Sequence, residues 1–144
     1  MKVKQLSVFV ENKSGRLYDV AMALGKAGVN IRALSLADTL DFGVIRLIVD
    51  KVDVAVDTLK KAGFTVSETE VLALLVKDAP GGLADVLGAF SKNGIDIEYM
   101  YAFAGSKGAD AVMIFRFDDT QKALTVLSSV QGIRILTSGE LYSL

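Results

Sequence analysis

The chain repeats itself, and that repeat limits its possible folds more than any other feature. The segment Asn12-Lys13-Ser14-Gly15-Arg16-Leu17-Tyr18-Asp19-Val20 is echoed by Asp78-Ala79-Pro80-Gly81-Gly82-Leu83-Ala84-Asp85-Val86, 66 positions on (78 − 12 = 66). At the same offset Gly28-Val29-Asn30-Ile31 returns as Gly94-Ile95-Asp96-Ile97. The features that recur are physically demanding ones: a glycine at a strand-to-helix turn, an apolar helix stripe and a glycine that ends the helix. An internal repeat overrides a reading of the chain as one undivided unit. Two halves are expected, residues 1–70 and 71–144. Halves of that size bury only ~60% of their unfolded surface, so each is expected to lean on a neighbour.

The two halves read alike element by element. Leu6, Val8 and Val10 share one face of a strand and Phe9 the other. Gly15 opens a helix in which Leu17, Val20, Ala21 and Leu24 stand at i, i+3, i+4 and i+7, and Leu83, Val86, Leu87 and Phe90 repeat that spacing. Gly28 and Gly94 stand where a left-handed cap would stop each helix. Strands follow over Val29–Ala37 and Ile95–Phe103, then loops over Asp38–Asp41 and Gly105–Asp110, then third strands over Gly43–Val49 and Ala111–Phe117. Second helices begin after Asp50 and Asp118, with stops at Gly63 and Gly132, and fourth strands start at Thr65-Val66 and Ile133-Arg134-Ile135. The order β-α-β-β-α-β with right-handed crossovers predicts an α+β fold. Each half is a ferredoxin-like unit, an antiparallel sheet with two helices on one face. Leu141–Leu144, apolar at three positions in four, reads as an extra strand that could cross to the other half.

Composition excludes several functions. The chain has 144 residues, 16 basic and 17 acidic side chains and a net charge of −1, with no basic footprint for nucleic acid. No uncharged run has the length of a membrane span. Met1-Lys2-Val3-Lys4 leads into a short strand pattern and not a signal peptide, so the expected compartment is the cytoplasm. With no His and no Cys there is no Ser-His-Asp triad, no cysteine nucleophile and no zinc site of usual ligands. The carboxylates are scattered. No catalytic activity, metal or cofactor is expected.

Three groups of residues could carry binding. At the first turn, a carboxylate could meet the amides of Gly15, Arg16 and Leu17 at the positive end of a helix; Gly81, Gly82 and Leu83 could do the same in the echo. The alternative is a plain tight turn with Ser14 or Asp78 capping the helix. Asn12 and Asn30 close strand one and open strand two, and their side-chain amides can donate to a carboxylate and accept from an ammonium. Their counterparts Asp78 and Asp96 would repel a ligand carboxylate but could hold its ammonium. Turn and cap chemistry would serve all four equally well. Tyr99, Tyr101 and Phe103, at spacing two on one strand face, could wall a pocket or bury against a second sheet. Strands apolar on both faces point to a homodimer or to sheet-on-sheet packing within the chain. Gly105-Ser106-Lys107-Gly108 reads as a flexible hairpin loop, without the spacing of a phosphate loop.

The segment Val10-Glu11-Asn12-Lys13-Ser14-Gly15-Arg16-Leu17, followed by Gly28-Val29-Asn30-Ile31, resembles the ACT domain, a small regulatory module that binds amino acids. It is most similar to the serine-binding ACT domain of phosphoglycerate dehydrogenase. The second half carries Asp78-Ala79-Pro80-Gly81-Gly82-Leu83, similar to the common Pro-Gly turn of the family. Its Ile95-Asp96-Ile97-Glu98-Tyr99-Met100-Tyr101-Ala102-Phe103 looks like the stand-alone tandem ACT proteins of bacteria. The resemblance implies ligand contacts at Asn12 and Asn30; with the turns and their echo, the candidate ligand-binding residues are Asn12, Ser14, Gly15, Arg16, Leu17, Asn30, Ile31, Asp78, Pro80, Gly81, Gly82, Leu83, Asp96 and Ile97. It departs from the family at Ser14, where proline is usual, and at the two aspartates. It implies a non-catalytic regulator that binds a free amino acid at domain interfaces. The alternative is a ligand-free module serving as the regulatory subunit of a separate enzyme.

Overall fold

The computed structural model describes the chain apart from residues 1, 12, 39, 40 and 109, with residues 105–107 described by their backbone alone. The elements run β1 (Val3–Glu11), α1 (Arg16–Lys26), β2 (Ile31–Asp38), β3 (Phe42–Val49), α2 (Val52–Lys61), β4 (Thr65–Lys77), α3 (Gly82–Lys92), β5 (Ile97–Lys107), β6 (Asp110–Phe117), α4 (Thr120–Ser128), β7 (Arg134–Leu136) and α5 (Ser138–Tyr142). The chain forms two compact units, Lys4–Thr69 and Met1–Val3 with Glu70–Leu144.

In the first unit the strand order is β2-β3-β1-β4, and β3 runs antiparallel to both β1 and β2. In the second it is β7-β4-β6-β5, with each of these neighbouring pairs antiparallel. This is the ferredoxin-like βαββαβ arrangement twice over, as the repeat predicts. Period two decides which side chains enter each core. Leu6, Val8 and Val10 of β1 are buried with Val20 and Leu24 of α1 and Ala55 and Leu59 of α2, while Phe9 points away and stays 44% exposed. In the second unit Leu72, Leu74 and Val76 pack with Val86 and Phe90 of α3 and Ala123 and Leu127 of α4. Phe90 sets its ring edge-on to Phe115 and Phe117, both at 5.2 Å, the geometry that aromatic quadrupoles favour. Tyr101 and Phe103 are buried outside that cluster.

The expected glycine stops have positive φ: 73° at Gly28, 90° at Gly63, 64° at Gly94 and 86° at Gly132. Each of the first helices is further tied at its end by a lysine from the next helical segment. Lys51 Nζ donates to the Gly28 carbonyl and Lys122 Nζ to the Gly94 carbonyl, both at 3.1 Å. A cation there also meets the negative end of the helix dipole.

Two expectations are corrected. Leu141–Leu144 is not a strand: α5 covers Ser138–Tyr142 and buries Leu141. Its cause is a capping box. The Glu140 amide donates to Thr137 Oγ1 at 3.1 Å and the Thr137 amide to Glu140 Oε2 at 2.8 Å, which satisfies two open donors and nucleates the turn. The loop placed over Gly105–Asp110 is shorter, because β5 continues to Lys107, whose register partner is Asp110. A register shift between Ala102 and Ser106 lets the ladder resume, and ladder hydrogen bonds depend on backbone and not on side-chain polarity.

Gly82 is demanded by packing. A Cβ there would run into the Lys77 backbone carbonyl, whereas Gly88, in the middle of α3, has open space around it. Gly82→Ala should therefore lower stability by about 1–3 kcal/mol, and Gly88→Ala should raise it by about 0.5–1 kcal/mol through helix propensity. Urea midpoints of the two variants against wild type measure both; equal shifts would contradict the packing asymmetry.

Candidate functional site

The two strand-to-helix turns are built the same way. Gly15 (φ 88°, ψ −9°) and Gly81 (φ 85°, ψ −9°) are the residues before α1 and α3. In the first turn the Lys13 amide donates to the Glu11 carbonyl at 2.8 Å and the Arg16 amide to Lys13 at 3.3 Å; in the second, Ala79 donates to Lys77 and Gly82 to Ala79, both at 2.9 Å. Neither helix has a side-chain cap hydrogen bond among the described residues, so the alternative of a Ser14 or Asp78 cap is not formed. The left-handed glycine occupies the position where a capping side chain would act. The Arg16 and Gly82 amides are engaged inside the turns, contrary to their expected role as anion donors. The next two amides, Leu17 and Tyr18 or Leu83 and Ala84, have no partner among the described residues.

The other half of the expected pair is remote. Asn12 lies outside the described residues. Its neighbour Glu11 is opposite Phe42, the first residue of β3, whereas Ile31, next to Asn30, is opposite Val49, the last. The seven residue-to-residue steps from Phe42 to Val49 (49 − 42 = 7) span roughly 23 Å at ~3.3 Å each. In the second unit Lys77 faces Asp110 and Ile97 faces Phe117, the same separation. Within one unit, therefore, the glycine turn does not meet the start of the second strand. Ser14, Gly15, Arg16 and Leu17 gather at one end, and Asn30 and Ile31 at the other. Asp78, Pro80, Gly81, Gly82 and Leu83 are likewise separated from Asp96 and Ile97.

Asn30 is exposed but held: its amide donates to Asp50 Oδ1 at 2.9 Å, and the Asp50 amide returns a bond to the Asn30 carbonyl at 3.2 Å. Asp96 accepts from Asp118 in the same way at 3.3 Å. Asp50 and Lys51 were not singled out by sequence, although a charged pair opening the second helix beside the glycine stop was a readable signal. Sequence reasoning also missed a cleft of about 290 Å³ in the first unit, lined by Phe9, Glu11, Arg16, Phe42 and Phe64 among others. Glu11 there has its carboxyl held below the ordinary value, first by the hydrogen bond and charge of Lys13 and more weakly by Arg16. Among the described residues no cluster of acidic side chains could hold a metal ion, and no helix is long and apolar enough to cross a membrane.

Gly15 has open space around it but sits at φ 88°. Gly15→Ala should cost about 1–2 kcal/mol, the penalty of a left-handed L-residue, while Gly25→Ala, unhindered within α1, should not destabilise. Thermal and urea unfolding check the pair; an undisturbed Gly15→Ala would mean the turn is not fixed as described.

Comparison with known proteins agrees with this architecture. The family model described as an ACT domain pair matches residues 1–138. The crystal structure of a protein from Bacteroides thetaiotaomicron is 41% identical, with a TM-score of 0.91, over 100% of this chain and 98% of that one. The regulatory subunit of aspartate kinase from Thermus thermophilus, in its ligand-free form, shares the fold at 15% identity and a TM-score of 0.62, over 87% of this chain and 90% of that one. The corresponding subunit from Thermus flavus aligns at 13% identity and a TM-score of 0.57, over 85% and 88%. The sequence has no match among curated proteins.

Proposed function

The chain belongs to the family of ACT domain pairs, and on that premise we propose that it is a non-catalytic regulatory protein that binds a free amino acid. Its domains are residues 1–70 and 71–144. The reading rests on one observation above all: an uncapped helix start with open amides and an exposed Asn30-bearing strand start, in a unit that holds them roughly 23 Å apart. Such a site is completed by a second copy of the chain. In the first unit β2 is the edge strand, and it carries Leu34 and Leu36 exposed at 49% and 54%. An exposed apolar edge is one that proteins otherwise blunt. Pairing two β2 edges antiparallel would bring the start of one copy's β2 to the end of the other's, beside its Gly15 turn. The ligand carboxylate would then meet the Leu17 and Tyr18 amides, and the Asn30 side chain of the second copy would hold the ammonium. Ligand and assembly are thereby linked, because a ligand that binds the paired form better shifts the equilibrium toward it.

The second half has Asp78 and Asp96 in both asparagine positions, exposed carboxylates that disfavour a ligand carboxylate. This favours a surface role for that half, with a separate enzyme as the regulated partner, as in the aspartate kinase subunits of similar fold. The proposed setting is the cytoplasm.

Screening the twenty amino acids by thermal shift and calorimetry tests the reading. A ligand at a hundred times its Kd adds about 2.7 kcal/mol, which raises Tm by about 5–10 °C for a chain of this size. Asn30→Ala and Asn12→Ala should each weaken binding about ten- to a hundredfold. For the exposed Asn30, the ligand-free Tm should barely move. Unchanged melting and no heat with all twenty would remove the binding reading and leave the partner-subunit one.

A further inference from the structure

We propose that the outer face of α1 docks into a hollow on α3 of a second copy of the chain, with the two helices antiparallel. Met22 is the knob, and Asp85, Gly88, Ala89 and Lys92 of the second copy form the hole. This contact goes beyond the amino-acid reading. It uses neither the glycine turns nor the β2 edge.

Shape comes first. Val20 and Leu24 turn one face of α1 into the core of the first unit. Tyr18 and Met22, at i and i+4, share another face, where they stay exposed at 63% and 41% although both are large and apolar. At the echoing positions α3 has Ala84 and Gly88. A hollow of about 490 Å³ opens there, lined by Ala84, Asp85, Gly88, Ala89, Lys92 and Val130 among others. A Cβ at Gly88 would have open space around it. Asp85, Gly88, Ala89 and Lys92 stand at i, i+3, i+4 and i+7 of α3, the four positions that make a hole for a knob from a facing helix. Small residues at its floor let two helix axes approach to about 8 Å. One unit thus carries the knob and the other the hole.

Charge fixes the direction. Asp19 and Lys26 stand three residues before and four after Met22, and Asp85 and Lys92 are the two ends of the hole. Both helices have the acid in the first turn and the base in the last, as the helix dipole favours. Parallel docking would therefore set acid on acid and base on base. Antiparallel docking with Met22 in the hole sets Asp19 beside Lys92 and Lys26 beside Asp85. Lys26, Asp85 and Lys92 form no ion pair among the described residues, so their charges are available. The two spacings are equal, seven residues each (26 − 19 = 7; 92 − 85 = 7), or about 10.5 Å of helix, so both pairs form in one register. That match between two stretches of one sequence selects a second copy as the occupant. Knob and hole lie in different units, so the contact is head-to-tail.

The test is analytical ultracentrifugation of the full chain carrying Leu34→Lys, which puts a charge on the exposed β2 edge and so removes the proposed β2 pairing. Concentration-dependent association should persist. In that background Met22→Lys, and Gly88→Leu, which fills the hollow from within, should each weaken it at least tenfold. Lys26→Asp and Asp85→Lys should each weaken it about fivefold, and the two together in one chain should restore it. These two are at exposed side chains, so their effect is read without a change of fold. No association in the Leu34→Lys background overturns the contact and leaves the β2 pairing standing. Association that is indifferent to Gly88→Leu overturns it as well. Rescue of Lys26→Asp by Asp19→Lys, and not by Asp85→Lys, would show α1 pairing with α1 of the second copy and would also overturn it.

Discussion

A left-handed glycine at each strand-to-helix turn is the constraint on which the rest of the structure depends. With φ near 88° at Gly15 and 85° at Gly81, the chain leaves a strand and enters a helix within a few residues. That short reversal lays α1 back over its own sheet, so Val20 and Leu24 land on Leu6, Val8 and Val10. It also removes the side-chain cap that a helix start ordinarily uses. One backbone angle thus sets both the core and the open amides. The energetic balance is modest: a left-handed L-residue would cost about 1–2 kcal/mol, against about 1.5–3 kcal/mol gained for each large apolar side chain the helix buries.

The two units show how far chemistry can diverge on one backbone. Their turns agree to within a few degrees and their internal hydrogen bonds match one for one. The side chains around them do not. Arg16 has room for a long side chain, but its counterpart Gly82 cannot accept even a Cβ because the Lys77 carbonyl is in the way. Glu11 faces a phenylalanine, whereas Lys77 faces an aspartate. Asn30 and Asp96 occupy the same place, each tied through its backbone to the residue that precedes the next helical segment. A duplicated fold preserves what packing requires and leaves exposed positions free to take opposite charges.

Most of the fold was legible because the signals were local and doubled. The stripes of Val20 and Leu24, and of Val86 and Phe90, have helical spacing, and the glycine stops follow at a fixed interval. The misreadings were places where a side chain competes with the apolar pattern. Leu141 and its neighbours look like a strand until Thr137 and Glu140 are seen to close a capping box over them. Gly105 to Lys107 look like a loop, but the backbone ladder with β6 carries them. The candidate site was less legible. Residue types at the turn were readable, yet the distance between that turn and Asn30 depends on the register of β3 against β1 and β2, which no local pattern states. The cleft depends on Phe42 lying opposite Glu11, a pairing of residues 31 positions apart (42 − 11 = 31).

The separation along β3 carries the functional consequence. A unit with open turn amides at one end and the Asn30 side chain at the other keeps the groups of the proposed site apart. On the proposed reading, occupancy needs two chains and so reports assembly as well as ligand. The linkage is reciprocal: whatever factor the ligand adds to association, association adds to ligand affinity. Strand register sets this, because Glu11 and Phe42 meet across β1 and β3 while Glu11 and Ile31 are kept at opposite ends of the sheet.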